Sequence, residues 1–281
     1  MLKSSTTLPN DKITKIAIGG FDGIHRAHQR LISRLGREGA LVIVDKKQAS
    51  LTPHIHRCRH LQYPCRFLDF EQIRDLGPEA FVELLKREFP SLETIVVGYD
   101  FHFGKGRAAD AKSLKMLFDG EVWIVPEQFE DSLSIHSRTI RDLIKSGQIE
   151  RANRLLGRHY AIMGKVVRGQ GIGGRQLLPT VNLEVEDFLI PKEGVYATFT
   201  KIEGKLYPSV TFIGRRVTTD SAFAVETHLI DVEIPKLSEG KEIWIYFVKY
   251  LRENRKFEAL SKLKAQIEKD IKRAKTTLLM R

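Results

Sequence analysis

The chain has 281 residues, 42% hydrophobic and 29% charged, with a formal net charge of +11, which is room for one large domain or two ordinary ones. No apolar run approaches the length needed to cross a bilayer, and the opening MLKSSTTLPNDK has no apolar signal core, so neither membrane insertion nor export is expected. Two cysteines, Cys58 and Cys65, in so long a chain suggest no disulfide framework, which points to the cytoplasm.

From the N-terminus, KIAIGG is a short apolar run ending in glycines. HRAHQRLISRLGREG follows, with Ala27, Leu31 and Leu35 on one helical face and Gly36 and Gly39 to end it. ALVIVD reads as a second buried strand. Strand, helix and strand within about 30 residues predict a right-handed parallel unit. Pro78 suits the first turn of a helix running to Phe89. TIVVG and EVWIV are further strands, with a helix through DAKSLKMLF between them, and helices over 137–145 and 148–156 close this half. Strands alternating with helices predict an open parallel sheet covered on both faces.

Near Gly157 the texture changes. YAIMGKVVRG, GVYATFTKIEG, KLYPSVTFIG, AFAVETHLID and EIWIYFVKY are rich in β-branched and aromatic residues and are separated by glycines, prolines and polar turns. IEGKL has the look of a hairpin turn. Successive strands without helices between them predict an antiparallel barrel, followed by a basic amphipathic helix with Phe257, Leu260, Leu263, Ile267 and Ile271 at helical spacing. The expected organisation is two domains, 1–157 and 158–281.

The stretch GGFDGIHRAHQ raises the first question of chemistry. Its glycines allow a sharp turn after the strand and close approach of a ligand to the backbone. A helix starting near His25 puts His25 and His28 one turn apart on one face. There, free N–H groups and the two imidazoles suit nucleotide phosphates and a departing pyrophosphate. A pair of surface histidines at a helix start fits the spacing equally well.

The segment resembles the G-x-F-D-G-x-H-x-G-H signature of the nucleotidyltransferase module in bacterial bifunctional FAD synthetases, the riboflavin kinase/FMN adenylyltransferase family. Ala27 stands where that family has glycine. The resemblance implies that Gly20, Phe21, Asp22, Gly23, His25 and His28 bind ATP, with the two histidines catalytic. VVGYDFHFGKGRAAD is similar to the family's D-F-x-F-G strand end, implying flavin contacts from Asp100, Phe101, Phe103 and Arg107. SIHSRTIRDLI is similar to its I-S-S-T-x-I-R helix start, implying that Ser137 and Arg141 hold ATP phosphates; His136 and Arg138 replace a serine and a threonine. The family's T-F-x-P-H-P motif has no good counterpart in VDKKQASLTPHIH.

In the second half, GKVVRGQGIGGRQLLPTVNL resembles the riboflavin kinase signature. It implies an ATP cradle from Gly164, Gly169, Gly171, Gly173 and Gly174, and Mg²⁺ held by the oxygens of Thr180 and Asn182. FAVETHLID matches the strand that bears the family's catalytic glutamate, here Glu226, the general base for the ribityl hydroxyl. SVTFIGRRVTTD stands where the family has N-I-G-x-R-P-T, with Gly214 kept. The closing helix, from YLRENRKFEAL onward, implies that Arg252 helps to order the flavin side.

The resemblance runs from about Ile16 to Ala274, six motifs in the family's order. It implies a Rossmann-like nucleotidyltransferase domain over 1–157 and a six-stranded riboflavin kinase barrel over 158–281. The implied activity is phosphorylation of riboflavin to FMN by MgATP, then adenylylation of FMN to FAD. The expected partners are small molecules, with no nucleic acid and no membrane, in a monomer or weak oligomer. Two rival readings are one live half, the kinase being the better preserved, and a basic RNA-binding protein. The second would need steeply salt-dependent binding, and the scattered charge offers no basic and aromatic stripe for it.

PHIHRCRHLQYPC packs His54, His56, Cys58, His60 and Cys65 into twelve residues, all zinc-ligand types. Neither common zinc spacing is present, and strand-like alternation would set the first four in a row rather than around a point. The segment is therefore expected to be an exposed basic loop over the flavin pocket.

Overall fold

Alternation along the strand Lys15–Gly19 decides the layering of the N-terminal half. Ile16 and Ile18 point to one side of a sheet and Ala17 to the other, and all three are buried. The computed structural model describes residues 3–4, 8–48, 50–59, 61–168, 178–218 and 221–279. The chain divides into two compact units, Met1–Thr139 and Ile140–Arg281.

The first unit contains β1 (Lys3–Ser4), β2 (Lys15–Gly19), α1 (Arg26–Ile32), β3 (Gly39–Asp45), β4 (Cys65–Asp69), α2 (Phe70–Ile73), α3 (Pro78–Glu88) and β5 (Thr94–Gly98). It continues with β6 (His102–Phe103), β7 (Ala109–Asp110), α4 (Ala111–Leu117), β8 (Glu121–Val125), β9 (Phe129–Glu130) and β10 (Leu133–Ser134). Helix α5 (Ser137–Lys145) spans the boundary between the units. The main sheet has the order β1-β4-β3-β2-β5-β8, parallel throughout except for β1 at one edge. One face carries Ile16, Ile18, Val42, Ile95 and Val97 against Phe81, Leu85 and Leu114; the other carries Ala17, Leu41, Ile43 and Val96 against Leu31, Ile32 and Leu35. Both faces are covered, as near-continuous apolar strands require. The chain winds outward from β2 through β3 to β4, then returns to lay β5 on the other side of β2. The crevice between the carboxyl ends of β2 and β5 is thus the switch point where such sheets take ligands.

The second unit opens with α6 (Ile149–Leu156) and continues through β11 (Tyr160–Val167), β12 (Val181–Glu184), β13 (Gly194–Ile202), β14 (Lys205–Arg215), β15 (Phe223–Leu229), β16 (Glu242–Arg252) and α7 (Leu260–Leu279). The six strands close as β11-β12-β15-β14-β13-β16. The β13–β14 turn holds Glu203 at φ 49° and Gly204 at φ 88°, the positive pair that a two-residue hairpin requires. Asn153 of α6 donates from Nδ2 to the Phe247 carbonyl at 2.8 Å and accepts from Tyr160 N at 2.7 Å, which ties that helix to the barrel. Val195, Ala197, Val210 and Val248 face outward and pack with Ala274 and Leu278 of α7. The alternate positions face inward, where Thr198, Thr200, Ser209, Thr211 and Thr227 are fully buried. Their hydroxyls form a closed ring of five hydrogen bonds, each 2.8–3.0 Å.

Two expectations need correction, and a third feature, the pairing of the two cysteines, was not foreseen. Cys58 and Cys65 are bonded to each other, Cα atoms 6.3 Å apart, because a 3-10 helix over His54–Cys58 brings Cys58 back to the first residue of β4. One bridge over seven residues is not a framework, so that expectation is not overturned. The same helix removes the strand-like row of histidines; His54, Ile55 and Arg59 are exposed as expected of a surface segment, but Arg57 between them is buried. In α7 the buried positions are Asp270, Ala274 and Leu278, whereas Leu260 is exposed. No helix among the described residues is long and apolar enough to cross a membrane.

Candidate functional sites

The turn after β2 is built for tightness. Phe21, Gly23 and Ile24 all have positive φ, at 50°, 89° and 41°, so three of its residues sit where most L-residues are strained. Asp22 helps to hold it: Oδ1 accepts from the backbone N–H groups of Leu51 and Thr52 at 2.9 and 3.0 Å. Thr52 Oγ1 in turn accepts from Gly23 N at 2.8 Å, and Ser137 Oγ donates to the Asp22 carbonyl at 2.7 Å. Asp22 and Ser137 therefore make the turn's frame as well as lying at the site. A Cβ on Gly20 would meet nothing within 4 Å, so the backbone there is open to a ligand.

His25 is the N-cap of α1, and its Nδ1 accepts from His28 N at 3.3 Å. An accepting Nδ1 carries no proton, which leaves Nε2–H as the ring's donor. The His25 and His28 rings stack at 3.6 Å, with Phe21 5.0 Å from His28. The sequence spacing thus does bring the two imidazoles together. Arg141 lies one helical turn beyond Ser137 on α5.

Across the crevice, β5 leads into Tyr99 and Asp100. Phe103 is buried against Phe81 at 5.3 Å, and Phe101 stacks on Phe103 at 5.6 Å, half-buried. These rings line the ground beneath the strand end, with Phe103 part of the core. Arg107 is exposed, its Nη2 3.1 Å from His102 Nδ1. His136, the replacement for a family serine, joins a polar cluster that the sequence did not reveal. Its Nε2 lies 3.0 Å from the Tyr99 hydroxyl and 3.6 Å from Glu127, and its Nδ1 3.9 Å from Asp100. The Ser134 hydroxyl holds the Glu127 carboxyl below its ordinary range against the opposing effect of burial, helped by Tyr99 and His136.

Arg57 was also missed. Only 1% exposed, it donates from Nε to the His54 carbonyl at 3.2 Å, from Nη1 to the Gly20 carbonyl at 3.1 Å and from Nη2 to Asp45 Oδ1 at 2.8 Å. Burial pushes the Asp45 carboxyl up, but the Arg57 hydrogen bond, the Lys47 N–H and the charges of Arg57 and His54 together bring it below its ordinary value.

In the barrel, Asn182 and Glu226 are directly cross-strand partners between β12 and β15, so their side chains share a face. Arg216 donates from Nη1 to Glu226 Oε1 at 3.0 Å, fixing the carboxylate's orientation. His228, two residues along the same face, hydrogen-bonds through Nδ1 to the Pro179 carbonyl at 2.8 Å, just before Thr180. Thr180, Asn182 and Glu226 offer hard oxygen donors, the type Mg²⁺ takes together with nucleotide phosphates. Among the described residues no group of three His, Cys, Asp or Glu is placed to hold a metal ion. Gly164 lies inside β11, where a Cβ would sit 2.9 Å from Leu183 Cβ, so the close packing of β12 there favours glycine. Gly169, Gly171, Gly173 and Gly174 lie outside the described residues, as does His60. Arg252 grips the buried carboxylate of Asp270 through Nε and Nη2, at 2.8 and 2.7 Å, and so docks α7 on the barrel.

A Listeria monocytogenes protein named bifunctional riboflavin kinase/FMN adenylyltransferase is 32% identical, with 91% of this chain and 89% of that protein covered. The chain belongs to the riboflavin kinase/FMN adenylyltransferase family. Relatives of the same name in Pseudomonas fluorescens and Escherichia coli K12 are each 29% identical, covering 92% and 91% of this chain and 91% and 90% of theirs. The family model described as riboflavin kinase matches residues 156–278. A solved Streptococcus pneumoniae chain, described as a macrolide-efflux protein, shares the fold at TM-score 0.82 and 25% identity over 96% of both chains. As the family requires, a Rossmann-like unit precedes a six-stranded antiparallel barrel with a terminal helix. The residues that sequence reading missed, Arg57, His136 and His228, hold or face neighbouring groups rather than spelling a motif. The only signal for Arg57 was an arginine inside a segment otherwise read for metal ligands.

Proposed function

We propose that this chain makes FAD from riboflavin in two steps, the kinase step in 158–281 and the adenylyl transfer in 1–157. In the first, Glu226 accepts the proton of the ribityl 5′-hydroxyl as its oxygen attacks the γ-phosphorus of ATP. The bond to ADP breaks, giving FMN. Thr180 and Asn182 would hold Mg²⁺ beside Glu226, where the ion neutralises phosphate charge. Gly169, Gly171, Gly173 and Gly174 would cradle the phosphates, and Arg252 orders the flavin side by docking α7.

In the second step a phosphate oxygen of FMN attacks the α-phosphorus of a second ATP, and pyrophosphate leaves. No protein nucleophile is needed, since positioning and charge stabilisation suffice. Gly20, Gly23, His25 and His28 hold the ATP phosphates, His25 through its Nε2–H. Ser137 and Arg141 serve the β/γ end, and Asp100, Phe101, Phe103 and Arg107 the flavin. The observation that carries this reading is the glycine turn, with its stacked histidines, standing at the β2/β5 crevice. We take the enzyme to work on small molecules without nucleic acid or membrane, in the cytoplasm, as a monomer or weak oligomer.

The test is to incubate the protein with riboflavin and MgATP and to separate the flavins over time. FMN should appear first and FAD after it. Glu226→Gln should abolish FMN formation yet still convert supplied FMN to FAD; loss of both steps would sink the division between the halves.

A further inference from the structure

Arg57 is a charge almost wholly out of water, on a 3-10 turn, bonded to two main-chain carbonyls and one carboxylate. Burying a charge is expensive unless every donor is matched, so a surface-facing lysine would be the default if only a loop tie were needed. Its three partners belong to three segments that meet at the carboxyl edge of the sheet. Asp45 ends β3, Gly20 follows β2, and His54 begins the turn that carries Arg57. β2 and β3 are parallel neighbours with Gly19 opposite Ile43, so the guanidinium bridges two adjacent strand ends.

The bond to Gly20 has a consequence for the next residue. A trans peptide is planar, with C=O and N–H pointing in opposite directions. Gly20 directs its carbonyl toward Arg57, which also holds Asp45 at the end of β3, so the Phe21 N–H points the opposite way, away from the β3 end. That is the side of β2 on which β5 and the crevice lie. The space above Gly20 is open, so a phosphate oxygen can approach that N–H.

We propose that Arg57 is a positioning residue of the adenylyl-transfer half: it locks the Gly20–Phe21 peptide so that the Phe21 N–H faces the crevice and receives an ATP phosphate oxygen. The inference rests on the functional reading of that half. Arg57 touches no substrate itself. Lysine cannot replace it, because one ammonium cannot span three acceptors in a fixed fork.

The test uses the full chain with Arg57→Lys and Arg57→Met. FAD formation from supplied FMN is measured against ATP concentration, and FMN formation from riboflavin serves as an internal control of folding. In both variants the KM for ATP should rise about tenfold or more, as for loss of one hydrogen bond to a charged group, with FMN formation unchanged. In protein isotopically labelled at phenylalanine, a non-hydrolysable ATP analogue should shift the Phe21 amide resonance in the wild type and not in the variants. An unchanged KM, a fall in kcat alone, or an amide shift that survives in both variants overturns the proposal. If Arg57→Met misfolds and loses FMN formation too, Arg57→Lys decides. If the wild type itself makes no FAD from FMN, the functional reading of this half fails, and the Phe21 shift still decides the role of Arg57.

Discussion

His228 does for the barrel site what a motif cannot state. A carbonyl only accepts, so the bond to Pro179 puts the ring proton on Nδ1 and fixes the backbone just before Thr180 and Asn182. His228→Phe keeps a planar ring and removes the donor. One hydrogen bond is worth about 0.5–1.5 kcal/mol net. Riboflavin phosphorylation should therefore slow by about tenfold or less, with FAD formation from supplied FMN unaffected. His228→Asn, which can still donate, should recover part of the loss, and an unaltered rate in His228→Phe would remove His228 from the site. The proposed site residues legible in the sequence are those whose chemistry is tied to spacing. His25 and His28 are one turn apart, and Asn182 and Glu226 sit in stretches with recognisable neighbours. Arg57 and His228 were illegible because their partners are backbone carbonyls, which every residue carries. Any donor folded to the right place would serve, so no pattern marks them.

At the scale of elements, the sequence predicted strands and helices wherever periodicity was long, and failed where tertiary contacts decide. CRFLD, the strand β4, has an arginine and an aspartate among five residues and does not read as a buried parallel strand. It becomes one because Arg66 finds Asn10 and backbone carbonyls within the fold. The barrel strands were legible from their β-branched residues, yet the same threonines were read only as strand formers. Their second role is the closed ring of Thr198, Ser209, Thr200, Thr227 and Thr211. A hydroxyl can give one hydrogen bond and accept others, so a ring of five satisfies every donor without water. Thr211→Val preserves shape but removes one hydroxyl, leaving Thr198 and Thr227 each short of a ring partner. Thr198 keeps Ser209 and Thr227 keeps Thr200, so the loss is two hydrogen bonds at about 0.5–1.5 kcal/mol net each. Urea unfolding of the variant should show a loss of that order; a midpoint equal to wild type would mean that the ring contributes nothing net.

At the scale of the whole molecule, the chain has two compact units with separate cores, and the intermediate that the two proposed reactions share is a small soluble phosphate ester. The roles proposed for one step name no residue of the other. A kinase-dead chain, Glu226→Gln, should still adenylylate FMN. A chain with Asp22→Ala should still make FMN, because the change frees the Leu51 and Thr52 amides beneath the turn after β2 and leaves the barrel untouched. Neither variant alone should make FAD from riboflavin. Mixed, they should do so, with FMN released by one chain and taken up by the other. The rate should rise with enzyme concentration and show a lag while FMN accumulates, and added FMN should abolish the lag. A mixture that produces FMN but no FAD, although the Glu226→Gln chain converts supplied FMN, would mean that FMN is withheld by the chain that makes it. The two halves would then be coupled by more than a diffusing intermediate.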